Sequence, residues 1–410
     1  MTRNELIPHL FRTEYSRIVA VLCRVMGLEN IAVAEDVASE TFLSALETWP
    51  YKGVPANPAG WLHVAARHKA MNYLKRSRTF AKGVVPHVAD ARVTEEPVAF
   101  DLSDANIADS QLRMLFALCH PAIPPSSQVA LALRILCGFG IDEIANAFLT
   151  SRETVNKRLF RAREKLRTCG VTLEFPHDDD IPKRLDAVLT TLYLLFSEGY
   201  YSETDKAVIR EDLCLEAMRL AYLLAGHPAT ATSQVHALLA LMCFHASRFA
   251  ARKGPDGRMI LYQDQDTSLW NRELIARGAE YLHTSSRGEV TRYHVEATIG
   301  YWHTVGEDTP QKWQNILQLY DRLLTNESSP VAALNRLYAF SRVHGKRAAL
   351  AEAKKLNLEN NRYYFALLGE LYTGRDNACA AQWFQRALEL TTTHAEIQIL
   401  KDKIETLGNG

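Results

Sequence analysis

The sequence predicts an all-α protein. Apolar residues return every three or four positions through most of the chain, no stretch alternates as strands do, and the proline- and glycine-rich intervals separate segments of helix length. The expected layout is two small helical domains, residues 1–78 and 109–170, joined by a linker over 79–108. The second of these reads as a helix-turn-helix, and a helical-repeat domain over 183–410 follows it.

Residues 5–27 read as an amphipathic helix, with Leu6, Leu10, Phe11, Ile18, Val19, Leu22 and Val25 on one face and Gly27 as its stop. Residues 31–49 form a second helix, with Val33, Val37, Phe42, Leu43 and Leu46 on one face and Glu35, Asp36, Glu40 and Glu47 on the other. The stretch 50–58 contains Pro50, Gly53, Pro55 and Pro58 and is expected to be a loop. A third helix, 59–78, starts just after Pro58 and ends in Lys75, Arg76 and Arg78. Residues 79–108 lose the periodicity and turn acidic through Asp90, Glu95, Glu96, Asp101 and Asp104, as a linker would.

A short helix over 109–125 precedes the segment 128–167. There Ile135, Leu136, Ile141, Ile144, Ala145, Phe148, Val155, Leu159 and Leu166 give three short helices, broken at Gly138-Phe139-Gly140 and at Leu149-Thr150-Ser151. Ser151 is the expected N-cap of the last one, with Thr154 where a capping box usually carries Glu or Gln. Pro176, Asp178, Asp179, Asp180 and Pro182 mark a second junction. Everything beyond reads helical: 183–199, 208–225, 231–252, 266–285, 290–304, 310–324, 329–343, 346–356, 361–373, 376–391 and 394–407. The pairs near 335–356 and 364–390 resemble one another, and the second, with Ala380, Trp383, Phe384, Ala387 and Leu388, looks like a tetratricopeptide hairpin. Stacked hairpins form a concave surface suited to a protein ligand.

Lys plus Arg equals Asp plus Glu, 47 each, which argues against a uniformly basic nucleic-acid coat but not against one basic helix. Cys23, Cys119, Cys137, Cys169, Cys214, Cys243 and Cys379 occur singly, so neither a disulfide framework nor a zinc site is expected, and a reducing cytoplasm is. The N-terminus carries Glu5 and Glu14 without a long apolar run, unlike a signal peptide. The strongest apolar stretch, 236–245, is too short for a bilayer, which needs about 20 residues, so no membrane partner is expected.

The helix after Ser151 carries Arg152, Lys157, Arg158, Arg161, Arg163, Lys165 and Arg167 against Glu153 and Glu164. It can be the recognition helix of a helix-turn-helix in a DNA major groove, or the solvated basic face of an ordinary core helix. On helix 59–78, Trp61, His68, Asn72 and Tyr73 interleave with Arg67, Lys69, Lys75 and Arg76, a pattern that stacks bases and contacts phosphates of a single strand. Trp61 and Tyr73 taken separately read as core residues. The Gln263–Asp266 string beside Trp270 has paired carboxylates, but Asp266 ahead of a helix is better read as an N-cap than as a metal ligand. His236, His245, His294 and His303 are spread over two of these helices without an HExxH-like spacing, and no glycine-rich phosphate loop occurs. No catalysis, metal or cofactor is expected.

Residues 34–50, AEDVASETFLSALETWP, followed by 57–76, NPAGWLHVAARHKAMNYLKR, resemble the second conserved region of extracytoplasmic-function sigma factors, and 140–167 resembles their fourth. The remainder resembles the long C-terminal extension of one sigma subgroup, with TTLYLLFSEGYYSE (190–203) and LYQDQDTSLWNRELI (261–275) as its most characteristic strings. The resemblance implies core RNA polymerase and promoter DNA as partners. Glu35, Asp36, Ser39 and Glu40 would dock on the β′ clamp helices, and the fourth region would meet the β flap. The loop 50–58 would receive an extruded base of the −10 element, with Trp61, Arg67, His68, Asn72, Tyr73 and Arg76 along its strands. Arg152, Thr154, Asn156, Lys157 and Arg158 would lie nearest the bases or phosphates of the −35 duplex, with Arg161 and Arg163 on its backbone. The acidic linker would pass through polymerase channels, and residues 183–410 would regulate the factor in cis. The other open reading is a helix-turn-helix regulator or tetratricopeptide scaffold that does not bind polymerase. Helix 31–49 with its loop discriminates, since a plain helix-turn-helix regulator needs neither.

Overall fold

The computed structural model describes residues 3–84, 101, 103–148, 150–200, 210–254, 260–326, 329–356, 358, 360–391 and 394–408. The chain divides into two compact units, Met1–Leu194 and Leu195–Gly410. Among the described residues the architecture is helical, with no β-sheet.

The first unit contains α1 (Arg3–Met26), α2 (Ile31–Lys52), α3 (Pro58–Val84), α4 (Asp104–Leu118), α5 (Pro125–Leu131), α6 (Ile141–Ala147) and α7 (Arg152–Thr168), and takes in most of α8 (Ile181–Tyr200). Its centre is α1. Ile18, Val19, Ala20, Val21, Leu22 and Cys23 are buried in succession, so the middle of this helix is covered all round. α2 and α3 pack on it from one side and α4 from another. The two expected small domains therefore share one core. On α4, Met114, Leu115 and Leu118 are fully buried, and Gln111 Nε2 donates to Ser16 Oγ of α1 at 3.3 Å. At the rim, Arg24 Nη1 meets Asn106 Oδ1 at 2.6 Å and Asp109 Oδ2 at 2.5 Å. α8 adds Arg184, whose Nη2 donates to the Phe116 carbonyl at 2.7 Å, and Thr191, whose hydroxyl donates to Gln128 Oε1 at 2.7 Å.

Several boundaries differ from the sequence expectation. The loop expected from Pro50 begins only after Lys52, because Pro50 sits in the last turn of α2 and the helix closes on Gly53, at φ 84° with its N–H on the Trp49 carbonyl. α4 starts at Asp104, because the Ser103 hydroxyl caps the Asn106 N–H at 3.4 Å. Of the linker expected over 79–108, residues 79–84 belong to α3 and 104–108 to α4, while 85–100 and 102 lie outside the described residues.

The second unit runs through α9 (Glu211–Ala225), α10 (Ser233–Ala246), α11 (Phe249–Arg252), α12 (Arg272–Thr284), α13 (Arg292–Thr304), α14 (Pro310–Asn326), α15 (Pro330–His344), α16 (Lys346–Ala353), α17 (Arg362–Tyr372), α18 (Asn377–Glu389) and α19 (His394–Gly408). α10 is its central helix, with Leu238, Leu239, Met242, Cys243 and Phe244 buried between α9, α12 and α13. Gly278 and Gly300 admit the Phe244 ring: a Cβ at Gly278 would lie 2.8 Å from Phe244 Cε1. The segment expected as one helix over 231–252 breaks at Ser247, which separates α10 from α11. Asp266 is an N-cap, accepting the Ser268 N–H at 2.8 Å, but of a short 3₁₀ turn; α12 begins later, capped by Asn271. The last hairpin packs Phe384 of α18 against Gly369 of α17, with Ala380 and Ala387 fully buried beside it. Part of the 190–203 string, from residue 201 on, lies outside the described residues.

Candidate nucleic-acid interface

α6 and α7 make the helix-turn-helix. Glu143 Oε2 accepts the Gly140 N–H at 2.7 Å and fixes the entry to α6. The Ser151 hydroxyl accepts the Thr154 N–H at 3.1 Å and starts α7. The Thr154 hydroxyl bonds Ser151 Oγ at 2.9 Å, so it joins the cap without returning to the backbone as a Glu would. Val155, Leu159, Ala162 and Leu166 form the buried stripe of α7. That stripe turns Arg152, Thr154, Asn156, Lys157 and Arg161 to the exposed side. Lys157 pairs with Glu153 at 2.6 Å on this open face, a contact worth a few tenths of a kcal/mol (about 0.3–0.5). Arg158 is half-buried, its guanidinium 5.5 Å from the Phe148 ring centroid. Phe160, which sequence reasoning did not single out, is 67% exposed on this face. Its position one residue off the buried stripe was the available signal.

The acidic and basic-aromatic helices are ordered by their own buried stripes. On α2, Asp36, Ser39 and Glu40 are exposed. Leu43 and Leu46, expected on the apolar face, are also exposed, at 54% and 51%, so this surface is acidic and greasy together. On α3, Leu62, Ala66 and Ala70 are buried. Arg67, His68, Asn72 and Arg76 are exposed with Tyr73, which is therefore not a core residue. Trp61 is half-buried, edge-on to the buried Trp49 with ring centroids 5.5 Å apart. The turn ahead of α3 is held by Asn57, whose Oδ1 accepts the Gly60 N–H at 2.9 Å. Tyr51, 90% exposed, stands beside that turn.

Glu35 is placed differently from its neighbours on α2. Its side chain is 7% exposed and faces the helix-turn-helix. Oε1 accepts from Arg134 Nε at 2.9 Å and Oε2 from Arg163 Nη2 at 2.6 Å, while the Tyr15 hydroxyl stands 3.4 Å from Oε1. Burial, then the Glu35 charge, raises the pKa of the Tyr15 phenol, which stays protonated and can donate. Arg134 is aimed by a single π turn, Ala132–Leu136, in which the Cys137 N–H reaches the Ala132 carbonyl at 3.1 Å. Its Nη1 also donates to the Phe139 carbonyl at 3.2 Å. The structure thus brings together Glu35, expected to face polymerase, and Arg163, expected to face DNA. It leaves Asp36, Ser39 and Glu40 on one open face and the other basic residues of α7 on another.

Among the described residues no three His, Cys, Asp or Glu side chains are placed to share a metal ion, and no helix is long and apolar enough to cross a membrane.

Comparison with known proteins assigns these surfaces to a family. Residues 10–80 match the model described as Sigma-70 region 2, residues 113–166 that described as Sigma-70, region 4, and residues 184–286 that of a family of unknown function, DUF6596. The chain is 34% identical over 385 residues to Uncharacterized protein R00370 of Rhizobium meliloti, covering 92% of this chain and 91% of that one. It is 30% identical over 138 residues to ECF RNA polymerase sigma factor BldN of Streptomyces coelicolor, covering 32% of this chain and 48% of that one. No solved structure matches. With regions 2 and 4 in order and a helical extension behind them, the chain belongs to the extracytoplasmic-function sigma factors with a C-terminal extension, which are transcription initiation factors and not enzymes.

Proposed function

We propose that the chain grips a promoter at two points while bound to core RNA polymerase. The open face of α2, with Asp36, Ser39, Glu40, Leu43 and Leu46, docks on the β′ clamp helices. Carboxylates there suit a basic partner, and the two exposed leucines supply the apolar centre that a stable contact needs. The turn at 53–57 with α3 takes the −10 element. Arg67, His68, Asn72, Tyr73 and Arg76 line its exposed side, and Trp61 stands behind them. One unstacked base costs a few kcal/mol, which aromatic stacking of about 1–3 kcal/mol per base and phosphate contacts offset. The outer face of α7, through Arg152, Thr154, Asn156, Lys157, Arg158 and Arg161, reads the −35 duplex while region 4 meets the β flap. Residues 195–410 regulate this activity in cis, and their helical hairpins offer a surface for a protein ligand.

The observation that carries the reading is the coexistence of the two open faces, one on α2 and one on α7, in a chain whose regions 2 and 4 both match. A regulator that binds DNA alone has no use for the first. Run-off transcription on genomic fragments with purified core polymerase tests it, full-length chain against a chain ending at residue 194. Promoter-specific transcripts from the full-length chain, changed in amount by the truncation, support it. No specific transcript and no co-purification with core would overturn the sigma reading, and unchanged transcription would overturn cis regulation alone.

A further inference from the structure

We propose that the second unit holds a binding site for a phosphate group, carried by inorganic phosphate or a small phosphate monoester, built around the buried Arg248 with Arg252 and Lys312 beside it.

The site starts from an imbalance of buried charge. Arg248 is 6% exposed and Lys312 1%, and Arg252 is half-buried at the end of α11. Their partners are neutral. Arg248 Nη2 donates to the Tyr200 hydroxyl at 3.2 Å, and its guanidinium lies 5.5 Å from the Tyr262 ring centroid. The Arg252 guanidinium lies over Tyr200, 3.9 Å from the centroid. Lys312 Nζ donates to the Tyr262 hydroxyl at 2.9 Å and to the Val305 carbonyl at 2.7 Å. Two phenols thus string three cations together, with Arg248 in the middle. Among the described residues no carboxylate pairs with any of the three. Asp308, whose charge reaches Lys312, is engaged by Trp313 Nε1 and by Arg342. A buried charge is costly unless it is paired, and a ring face offsets only part of that cost. The donors left over point the same way. Arg248 Nε and Arg252 Nη1 are buried without a hydrogen-bond partner, and so is Nε1 of Trp270, a 4% exposed ring stacked on Tyr262 at 6.5 Å. Such donors call for an acceptor. Two histidines register the surplus: burial, then Arg248 and Arg252, lowers the pKa of His245, and burial, then Arg248 and Lys312, that of His303. Charge selects the ligand. A carboxylate brings one negative charge to three cations, whereas a phosphate monoester brings about 1.5–2 near neutral pH with three acceptor oxygens. The guanidinium fork matches those oxygens in pairs. Arg252 and Tyr262, both half-buried, leave the cluster within reach of solvent.

All of these residues lie in the second unit, so the site stands or falls apart from the sigma-factor reading. Isothermal titration calorimetry of the full-length protein in phosphate-free buffer tests it. Inorganic phosphate, glycerol phosphate and acetate are the titrants, with ionic strength held constant by chloride. Saturable binding of a single phosphate group per chain is expected, with acetate weaker by about tenfold or more. Glycerol phosphate binding within about tenfold of inorganic phosphate assigns the site to monoesters, and its exclusion assigns the site to the free ion; either supports the proposal. Arg252→Met is expected to weaken phosphate binding by about tenfold or more, the loss of one charge-assisted hydrogen bond. Because it removes an unpaired charge, it should also melt no lower than the wild type in phosphate-free buffer. Arg277→Met, at an exposed site on α12, should bind as the wild type does. No saturable phosphate binding, acetate binding as tightly as phosphate, or a folded Arg252→Met with unchanged affinity would overturn the site, the last leaving an adventitious ion only. If Arg252→Met does not fold, Lys312→Met carries the same comparison, and the wild-type titrations decide by themselves.

Discussion

Glu35 and Arg163, 128 residues apart in the chain, meet at 2.6 Å with the carboxylate almost fully buried. Arg134 takes the other carboxylate oxygen at 2.9 Å. Removing the anion leaves two guanidinium groups facing one another with little water to screen them. Glu35→Gln is expected to destabilise the first unit by about 2–4 kcal/mol, below the upper end for fully buried pairs because both arginines retain some solvent. Chemical denaturation followed by near-ultraviolet circular dichroism measures it; a loss under about 0.5 kcal/mol would place the triad among ordinary surface pairs.

Two adjacent residues on α7 differ sharply in burial, and this difference is expected to separate a packing role from a DNA-contact role. Leu159 is 4% exposed and Phe160 is 67% exposed. Leu159→Ala is expected to cost about 2–5 kcal/mol of stability, the range for a buried leucine truncated to a cavity. Phe160→Ala should leave stability within about 0.5 kcal/mol of wild type. It should weaken binding to a cognate −35 duplex by about 1 kcal/mol or more, since an apolar side chain at the groove reads a thymine methyl group. Parallel melting curves and duplex titrations at fixed salt check both, and an unchanged duplex affinity for Phe160→Ala would remove it from the interface.

The helix pattern, the helix-turn-helix and the order of the two conserved regions could be read from residue spacing and motif alone. Glu35 could not. Its spacing from Ile31, Ala38, Phe42, Ala45 and Trp49 puts it on the buried stripe of α2, but its charge argued for solvent. Only the arrival of Arg134 and Arg163 from distant segments resolves that conflict, and no local pattern encodes it. Leu43 and Leu46 err the other way: their chemistry argued for core, and helix geometry places them outside. Both departures fall on α2, the helix proposed to dock on polymerase. There local propensity and tertiary demand are expected to disagree.

In the last hairpin, Gly369 has no room for a side chain. A Cβ there would sit 2.6 Å from Phe384 Cδ1, inside van der Waals contact with a ring that is 2% exposed. Gly369→Ala gains helix propensity but forces the α17–α18 pair apart, with an expected net cost of about 1–3 kcal/mol. Adding Phe384→Leu should recover part of that loss, because the smaller side chain vacates the contact. A double-mutant cycle by thermal melting reads the coupling, and additive costs would show that the two residues do not press on one another.

His303, near the end of α13, makes the second unit sensitive to acid. Its ring lies edge-on to Tyr262 at 4.9 Å and to Trp313 at 6.1 Å, and its Nδ1 is buried without a hydrogen-bond partner. Burial, then the nearby Arg248 and Lys312 charges, lowers its pKa to about 3. His245, buried on α10 near Arg248 and Arg252, is lowered for the same reasons. A histidine held neutral in the folded state contributes fully above its unfolded pKa of about 6.5, because folded and unfolded chains then bind the same protons. Below that value the unfolded chain takes up a proton that the folded one refuses. Stability therefore falls with pH from about 6.5 toward 3, by up to about 1.4 kcal/mol per pH unit for each such histidine. Denaturant midpoints of the full-length protein between pH 7.5 and 5 measure this slope. His303→Gln, which cannot titrate, should flatten it by about one proton; an unaltered slope would mean that His303 binds its proton equally well in the folded chain.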